Sequence, residues 1–418
     1  MYHQELLFCA RCPRRGVASL MAREALHARS LLGEGALSTV HLENGLAVKR
    51  TRKALLHLLQ LTEAALREKA ALESVAPGDN PFLAKFRGAA QDDDFLLLYL
   101  DPIEASSGTS INLRRLNSSA LPAPCVLWLG SCLMSGLAHL RSRRIVHRDV
   151  KPENIVLRAD GSPVLVDFGC AALLPARGVD DGQEGREVSS LDSPLRSLVG
   201  TLPYVAPEVL SREGHGCAAD VWSLGVVLHE ALCMQPPFSS DAVQWTHAEL
   251  AQAQSSARAA GGTVVLSTLV PSTGEASQEI RSLLRACLEW QPAERMGMAC
   301  CWASEHASEH LPWLTAGSDD GTDGSDGGAD ERVANELLAG GCAQVIRAIC
   351  DALATADTAA ATCWEAGGEA CVEEREQAEL EAAWAQAECE ELLERAETLW
   401  HRDADTQRLF DGFGPRLI

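Results

Sequence analysis

The chain has 418 residues, 46% of them apolar, and 36 Lys/Arg against 58 Asp/Glu give a net charge of −22. That length predicts two or three units at roughly 150 residues each, or one large unit with a tail, and the apolar fraction excludes wholesale disorder. The acidic balance excludes general nucleic-acid binding, which needs basic patches to neutralise phosphate. No apolar run approaches the roughly 18 residues of a membrane span, so no transmembrane segment is expected. The start, Met1-Tyr-His-Gln-Glu, has no basic region followed by a long apolar one, so no secretory signal is expected either. The 15 cysteines lack framework spacing and read as reduced thiols of a cytoplasmic protein, with the nucleus also open. Charge is uneven: from Ala316 onward there are 24 acidic and 7 arginine side chains, a balance of −17, which leaves −5 for the first 315 residues.

Residues 1–27 read as an extension. Its Cys9 and Cys12 supply only two of the four ligands of a structural zinc, so free thiols are expected there. From Leu31 to Val40, Gly33 and Gly35 mark a turn between apolar, β-branched stretches. Asn44-Gly45 is a hairpin signal, followed by a strand at Leu46–Lys49. The glycine turn therefore joins strand to strand, which excludes the dinucleotide and Walker phosphate loops, both of which lead into a helix. Lys53 to Val75 has a helical composition and stops before Pro77-Gly78. Phe82–Phe86 and Phe95–Leu100 read as strands, residues 125–141 as an apolar helix, and Val164–Val166 as a short buried strand. Pro175–Pro194 is poor in apolar residues and predicts a mobile loop. Residues 217–235 and 276–290 are helical again. Strands with one helix, followed mostly by helices, make a two-part α+β architecture. Residues 316–335 form a Gly/Asp-rich linker, and 336–418 an acidic helical tail. Within residues 371–400, Ala378, Ala382, Ala385, Cys389, Leu392, Ala396 and Leu399 follow a short a/d-like spacing. That seam fits either a helical partner or a helix resting on its own domain.

Five signals then stand in one order: Gly33-x-Gly35; Ala47-Val48-Lys49; His147-Arg148-Asp149-Val150-Lys151-Pro152-Glu153-Asn154; Asp167-Phe168-Gly169; and Ala206-Pro207-Glu208. Together they resemble the protein-kinase signature set over about residues 28–315. The resemblance implies a bilobal kinase fold, with a small β-rich lobe at 28–100 carrying one key helix and a large helical lobe at 101–315. It implies ATP and Mg²⁺ as cofactors and protein substrates with Ser/Thr acceptors. Lys49 would bind the α- and β-phosphates and be held by Glu68, with Glu63 and Glu73 as rivals. Asp149 would accept or orient the substrate hydroxyl proton. Asn154 and Asp167 would hold Mg²⁺ through hard oxygens. Lys151 matches the serine/threonine pattern. For ATP, the resemblance implies Leu32, Gly33, Glu34, Gly35 and Ser38 around the phosphates, Val40, Ala47 and Val156 around the adenine, and Leu98, Tyr99 and Leu100 at the gatekeeper and hinge. Leu72, Phe86, His147 and Phe168 would stack as a spine anchored by Asp220. Gly169 completes its triplet, and Arg295 would pair with Glu208.

Arg148 before Asp149 implies control by a phosphate on the activation segment. Ser197 stands where AGC-type kinases carry that phosphate, with Ser189, Ser190 and Ser193 as alternatives, installed by an upstream kinase or by the chain itself. Thr201 reads as a structural hydroxyl near the substrate. Within the AGC group the loop Gly33–Val40, the segment Ser197–Glu208 and Gln91-Asp92-Asp93 are similar to the phosphoinositide-dependent branch. That likeness implies activation loops of other kinases as substrates. The chain departs from it in a Gly33–Lys49 gap of 16 residues, a 42-residue stretch from Asp167 to Glu208, and an acidic tail that argues against lipid recruitment. Phe410-Asp-Gly-Phe413 resembles the Phe-x-x-Phe motif by which AGC tails dock on their own small lobe. Glu153 and Glu230 are candidates for reading basic residues beside the acceptor. The competing expectation is a kinase-like scaffold that recruits partners through its acidic tail and transfers little phosphate.

Overall fold

A computed structural model describes residues 30–35, 37–75, 80–103, 111–116, 120–174, 195–238, 246–259, 275–297, 299, 410 and 413. The expectations for residues 1–27, the 175–194 loop with Ser189, Ser190 and Ser193, the linker, and the helical seam lie outside the described residues. The chain divides into two compact units. One comprises residues 1–78, 84–102 and 355–418, the other 79–83 and 103–354.

The first unit is built on an antiparallel sheet of five strands in the order β1-β2-β3-β5-β4: β1 Ser30–Glu34, β2 Ser38–Glu43, β3 Leu46–Arg52, β4 Phe86–Gln91 and β5 Phe95–Leu100. The β2–β3 hairpin closes on Asn44 and Gly45, both with positive φ (51° and 79°), as a type I′ turn requires. Two helices follow β3, α1 Lys53–Leu58 and α2 Thr62–Ser74. The single helix expected over 53–75 is interrupted at Leu59–Leu61, where Gln60 takes a left-handed φ of 56° and its N–H donates to His57 O at 3.1 Å. No glycine or proline signals this break.

Register sorts the sheet into two faces. Val40 lies opposite Lys49, and Lys49 opposite Leu98. One row on, Leu42 faces Ala47 and Ala47 faces Leu100. Directly opposed residues share a face, so Val40, Ala47, Lys49, Leu98 and Leu100 line one side. Val48, Ala90 and Leu97 pack together on the other, with Leu46, Phe95 and Tyr99 against them. The Tyr99 side chain therefore sits on the face opposite Lys49.

Phe410 and Phe413 also belong to this unit. They are 0% and 1% exposed. Gln91 Nε2 donates to Phe410 O at 2.8 Å, and Lys53 Nζ lies 5.8 Å from the centre of the Phe410 ring. The same lysine is oriented by its donation to Asp92 O at 2.6 Å.

The second unit contains α3 Leu113–Leu116, α4 Ala123–Ser142, α5 Pro207–Leu210, α6 Ala218–Cys233, α7 His247–Ala259 and α8 Glu275–Cys287. Its short strands are β6 Ile111–Asn112, β7 Ile145–Val146, β8 Ile155–Leu157, β9 Pro163–Leu165 and β10 Ala172–Leu173. They form a β6-β8-β9 sheet and a β7-β10 pair. The strand expected at Phe82–Phe86 is not continuous: Leu83 makes one parallel bridge to Leu165, Leu165 N donates to Phe82 O at 2.8 Å, and regular pairing begins only at Phe86. Helix α4 is 20 residues long with a mean hydropathy of 1.4, long and apolar enough for a membrane span by composition, contrary to the expectation that no run approaches that length. Its window is 72% buried inside the protein, which explains an apolar surface on nearly every side.

Helices α4, α6 and α8 pack closely because glycines stand at their crossings. A Cβ at Gly225 would lie 2.7 Å from Cys287 Cβ and 2.9 Å from Leu288 Cγ, and one at Gly130 would lie 2.7 Å from Leu283 Cδ2. Gly225→Ala is therefore expected to destabilise the protein by about 1–3 kcal/mol through overpacking, read as a lower melting temperature with unchanged far-UV circular dichroism. An unchanged melting temperature would show that α6 and α8 separate freely.

Candidate active site

In the first unit, Lys49 on β3 donates to Glu68 on α2 at 2.5 Å, and Glu68 is 7% exposed. Its rivals are engaged elsewhere on the helix surface: Glu63 pairs with Arg67 at 3.5 Å and Glu73 with Lys69 at 3.0 Å. The glycine turn between β1 and β2 closes through Gly35 N donating to Ser38 O at 2.8 Å. Leu32 and Gly33 lie on β1 and are half-buried; Val40, Ala47, Leu98 and Leu100 share the Lys49 face as described. Glu34 is the last residue of β1.

In the second unit the segment after β7 is pinned from below. The backbone N–H groups of His147 and Arg148 each donate to a carboxylate oxygen of Asp220 at 2.7 Å. This holds Arg148 at a left-handed φ of 66°. Asp220 is 2% exposed, and burial raises its pKa against the opposing pull of those N–H groups and of His147 and Arg148. The His147 ring packs edge-on against Phe168 at 5.0 Å, with its Nε2 3.1 Å from Val166 O. Leu72 and Phe86, expected in the same stack, belong to the first unit.

Asp149 is the hub. Its Oδ2 receives Lys151 Nζ at 2.7 Å and Asn154 Nδ2 at 3.0 Å, while Asn154 Nδ2 also donates to Asp149 O at 2.8 Å. Oδ1 accepts from the hydroxyl of Thr201 at 2.7 Å, and Lys151 Nζ donates to that hydroxyl at 2.9 Å. One carboxylate thus faces an ammonium, an amide and a hydroxyl together. Asn154 commits its NH₂ group to Asp149, which leaves the amide oxygen as the group able to meet a cation. Asp167 has a left-handed φ of 63°, and its Oδ1 accepts from Gly169 N at 3.3 Å. Among the described residues no group of three or more His, Cys, Asp or Glu is disposed to hold a metal. Two oxygen ligands completed by phosphates and water are what Mg²⁺ takes in phosphoryl-transfer sites, so Asn154 and Asp167 fit such an ion. Val156 lies on β8 of this unit.

Arg148 reaches the activation segment from the same loop. It donates through Nε to Cys170 O at 2.6 Å and through Nη1 to Ser197 Oγ at 2.9 Å. Gly200 has a φ of 121°, and a Cβ there would stand 2.9 Å from Arg148 O. The Cys170 thiol is pushed up to about 12 by burial first, then by Asp149 and Asp167, so it is a protonated, unreactive group at neutral pH.

Further along, Glu208 and Arg295 form a buried pair at 2.7 and 3.1 Å. Arg295 also donates to the carbonyls of Glu289, Ala218 and Trp290, and its guanidinium stacks 5.0 Å from the centre of the Trp222 ring.

Two groups have no local signal in the sequence. Arg114, on α3, donates to Glu153 at 3.0 Å and also to Glu230 and the Tyr204 hydroxyl, while Tyr204 donates to Glu230 at 2.6 Å. Both carboxylates considered for reading a basic substrate residue are therefore already engaged by the chain's own guanidinium. Burial first, then Glu230, holds the Tyr204 hydroxyl well above the ordinary tyrosine range. The second group is His215, which lies opposite Leu195.

Residues 26–308 match the protein kinase domain family. The chain is 29% identical over 251 residues to Protein kinase 2 of Dictyostelium discoideum, covering 60% of this chain and 45% of that protein. It is 30% identical over 274 residues to human Ribosomal protein S6 kinase alpha-1, covering 64% and 33% respectively. To the RAC-beta serine/threonine-protein kinase B of Xenopus laevis it is 30% identical over 273 residues, covering 64% and 49%. In each case the match spans less than half the length of the relative. With the two-unit α+β architecture and these matches, the chain belongs to the protein kinase family.

Proposed function

We propose that the chain transfers the γ-phosphoryl group of ATP to serine and threonine hydroxyls of protein substrates. The Thr201 hydroxyl carries this reading, because it shows Asp149 Oδ1 accepting a hydroxyl proton at 2.7 Å while Lys151 and Asn154 hold the other oxygen. A substrate hydroxyl taking that position presents its proton to the same carboxylate. Its oxygen then forms the new bond to the γ-phosphorus as the bond to the bridging oxygen breaks, the proton passes to Asp149, and ADP leaves. Lys151 places a cation beside the reacting oxygen. Lys49, held by Glu68, supplies charge to the α- and β-phosphates. Mg²⁺, where bound by Asn154 and Asp167, neutralises phosphate charge. The test is the purified chain with Mg²⁺–ATP and a mixed peptide array, with mass spectrometry of the enzyme. Transfer to Ser/Thr peptides with phosphate on Ser197 is expected. Absence of transfer from protein already phosphorylated at Ser197 would favour the scaffold.

The finer reading concerns substrates. Likeness to the phosphoinositide-dependent branch supports activation segments of other AGC-type kinases as the first class to test. Recruitment of such substrates through a Phe-x-x-Phe tail would have to compete with Phe410 and Phe413, which are already buried in the first unit. A Phe-x-x-Phe segment appended to a peptide substrate is therefore expected to leave KM unchanged with the wild-type chain. It should lower KM by about tenfold with Phe410→Ala/Phe413→Ala, where the second binding event becomes intramolecular. Equal KM values in both proteins would remove this pocket from substrate selection. An upstream kinase or self-phosphorylation at Ser197 is supported by the Arg148–Ser197 contact, and a helical partner for residues 371–400 by the apolar seam alone. The described cysteines Cys125, Cys132, Cys170, Cys217, Cys233 and Cys287 are thiols outside any disulfide, which supports a reducing, cytoplasmic setting.

A further inference from the structure

His215 is 3% exposed, and neither ring nitrogen has a hydrogen-bond partner. Buried polar groups are nearly always bonded, and each exception calls for a cause. The backbone of His215 is fixed: its N–H donates to Leu195 O at 3.0 Å and its carbonyl accepts from Leu195 N at 3.1 Å, an isolated antiparallel bridge. Residues opposed across such a bridge project to the same face. Two positions beyond Leu195 is Ser197, whose hydroxyl accepts from Arg148 at 2.9 Å. The bridge thus ties an orphaned imidazole to the segment that carries the serine held by Arg148.

Two charged groups act on the ring, Arg148 from the loop after β7 and Glu208 from α5. Glu208 is turned to Arg295, which donates to both of its oxygens. Burial first, then Arg148, lowers the pKa of His215 to about 4, so at neutral pH the ring is uncharged beside a cation. Glu208 opposes that effect, and it is the smallest of the three influences on the ring; an anion on Ser197 would act in the same direction as Glu208. A phosphoserine brings about −1.5 to −2 charges and three acceptor oxygens, offsets Arg148, and offers the imidazole its missing partner.

We infer that Arg148 and His215 together form the cradle for a phosphate on Ser197, with His215 donating to a phosphate oxygen as imidazolium. The inference rests on the reading of Ser197 as the modified residue, and it makes His215 a positioning residue of the activation segment. Phosphorylation is then coupled to uptake of one proton by the ring. The contact is complete below the raised midpoint of His215 and weakens as pH climbs through it, whereas the unphosphorylated chain shows no such dependence near neutrality.

The test uses the full chain with phosphoserine installed at position 197 during translation, beside the Ser197 protein, both labelled with ¹⁵N-histidine. The His215 resonance is assigned by its loss in His215→Gln. The ring midpoint should move from about pH 4 to roughly pH 6 or above on the phosphoserine protein. In a second measurement, a phosphatase should remove the phosphate about tenfold faster from His215→Gln than from wild type, as a charge-assisted donor is lost. An unmoved ring midpoint, or equal dephosphorylation rates, would overturn the cradle. Active wild-type enzyme carrying no phosphate on Ser197 by mass spectrometry would instead overturn the reading of Ser197 beneath it.

Discussion

Asp149→Asn is expected to lower kcat by about 10²- to 10⁴-fold, with little change in the KM for ATP. Asparagine keeps the size of the side chain and one carbonyl oxygen, but it cannot take a proton. The surroundings amplify the loss. Lys151, 2.7 Å from Asp149, would lose its counter-charge, and the Thr201 hydroxyl would lose a carboxylate acceptor at 2.7 Å. The measurement is steady-state kinetics with a peptide substrate, paired with Mg²⁺–ATP binding to show that the nucleotide site survives. Lys151→Ala should also reduce kcat, though it leaves the proton acceptor in place. If Asp149→Asn retained more than about a tenth of wild-type kcat, proton handling by this residue would be excluded, because even modest general-base catalysis is worth more than that.

Glu208→Ala is expected to cost about 3–5 kcal/mol of stability, since it strands a fully buried guanidinium without its counter-ion. Arg295 is 0% exposed. Its five N–H groups meet five acceptors: two oxygens of Glu208 and the carbonyls of Ala218, Glu289 and Trp290. That full complement matches the five donors of a guanidinium, so Arg295→Lys, with three donors on a point charge, should fail to replace it. For a unit of this size the loss corresponds to roughly 10 °C in melting temperature. Replacing both partners by methionine removes the stranded charge and should recover much of the loss. If the double variant were no more stable than Glu208→Ala, the pair's contribution would lie in the three carbonyl contacts instead.

The groups that were legible in the sequence are those carried by the ordered motifs that resemble the kinase set, including pairs as distant as Lys49–Glu68 and Glu208–Arg295, 19 and 87 residues apart. Residues 147–154 and 167–169 read as sites through their resemblance to the kinase signature set, two separate segments met in the expected order. The choice among Glu63, Glu68 and Glu73 was open until packing decided it: the Glu63 side chain is 88% exposed, while Glu68 turns inward to Lys49. The break between α1 and α2 and the single bridge at Leu83 escaped because tertiary pairing, not local propensity, sets them. Arg114 and His215 had no signal at all. The partners of Arg114 stand 39, 90 and 116 residues away, and the surroundings of His215 come from three separate segments, those of Arg148, Leu195 and Glu208. The apolar length of α4 was underestimated because scattered serines and a histidine interrupt a surface that burial makes almost uniformly apolar.

The seating of Phe410 sets an order in time. Gln91 and the phenylalanine it holds are separated by 319 residues of chain. At about 5–20 residues per second of synthesis, roughly 16 to 64 s pass between the making of the one and the arrival of the other. Throughout that interval Gln91 is without the carbonyl it donates to in the finished unit, and Lys53 without the ring beside it. The first unit therefore stays incomplete during synthesis until residue 410 has been made. A chain that stopped before residue 410 would keep every signature residue and lack the carbonyl that Gln91 holds and the ring beside Lys53.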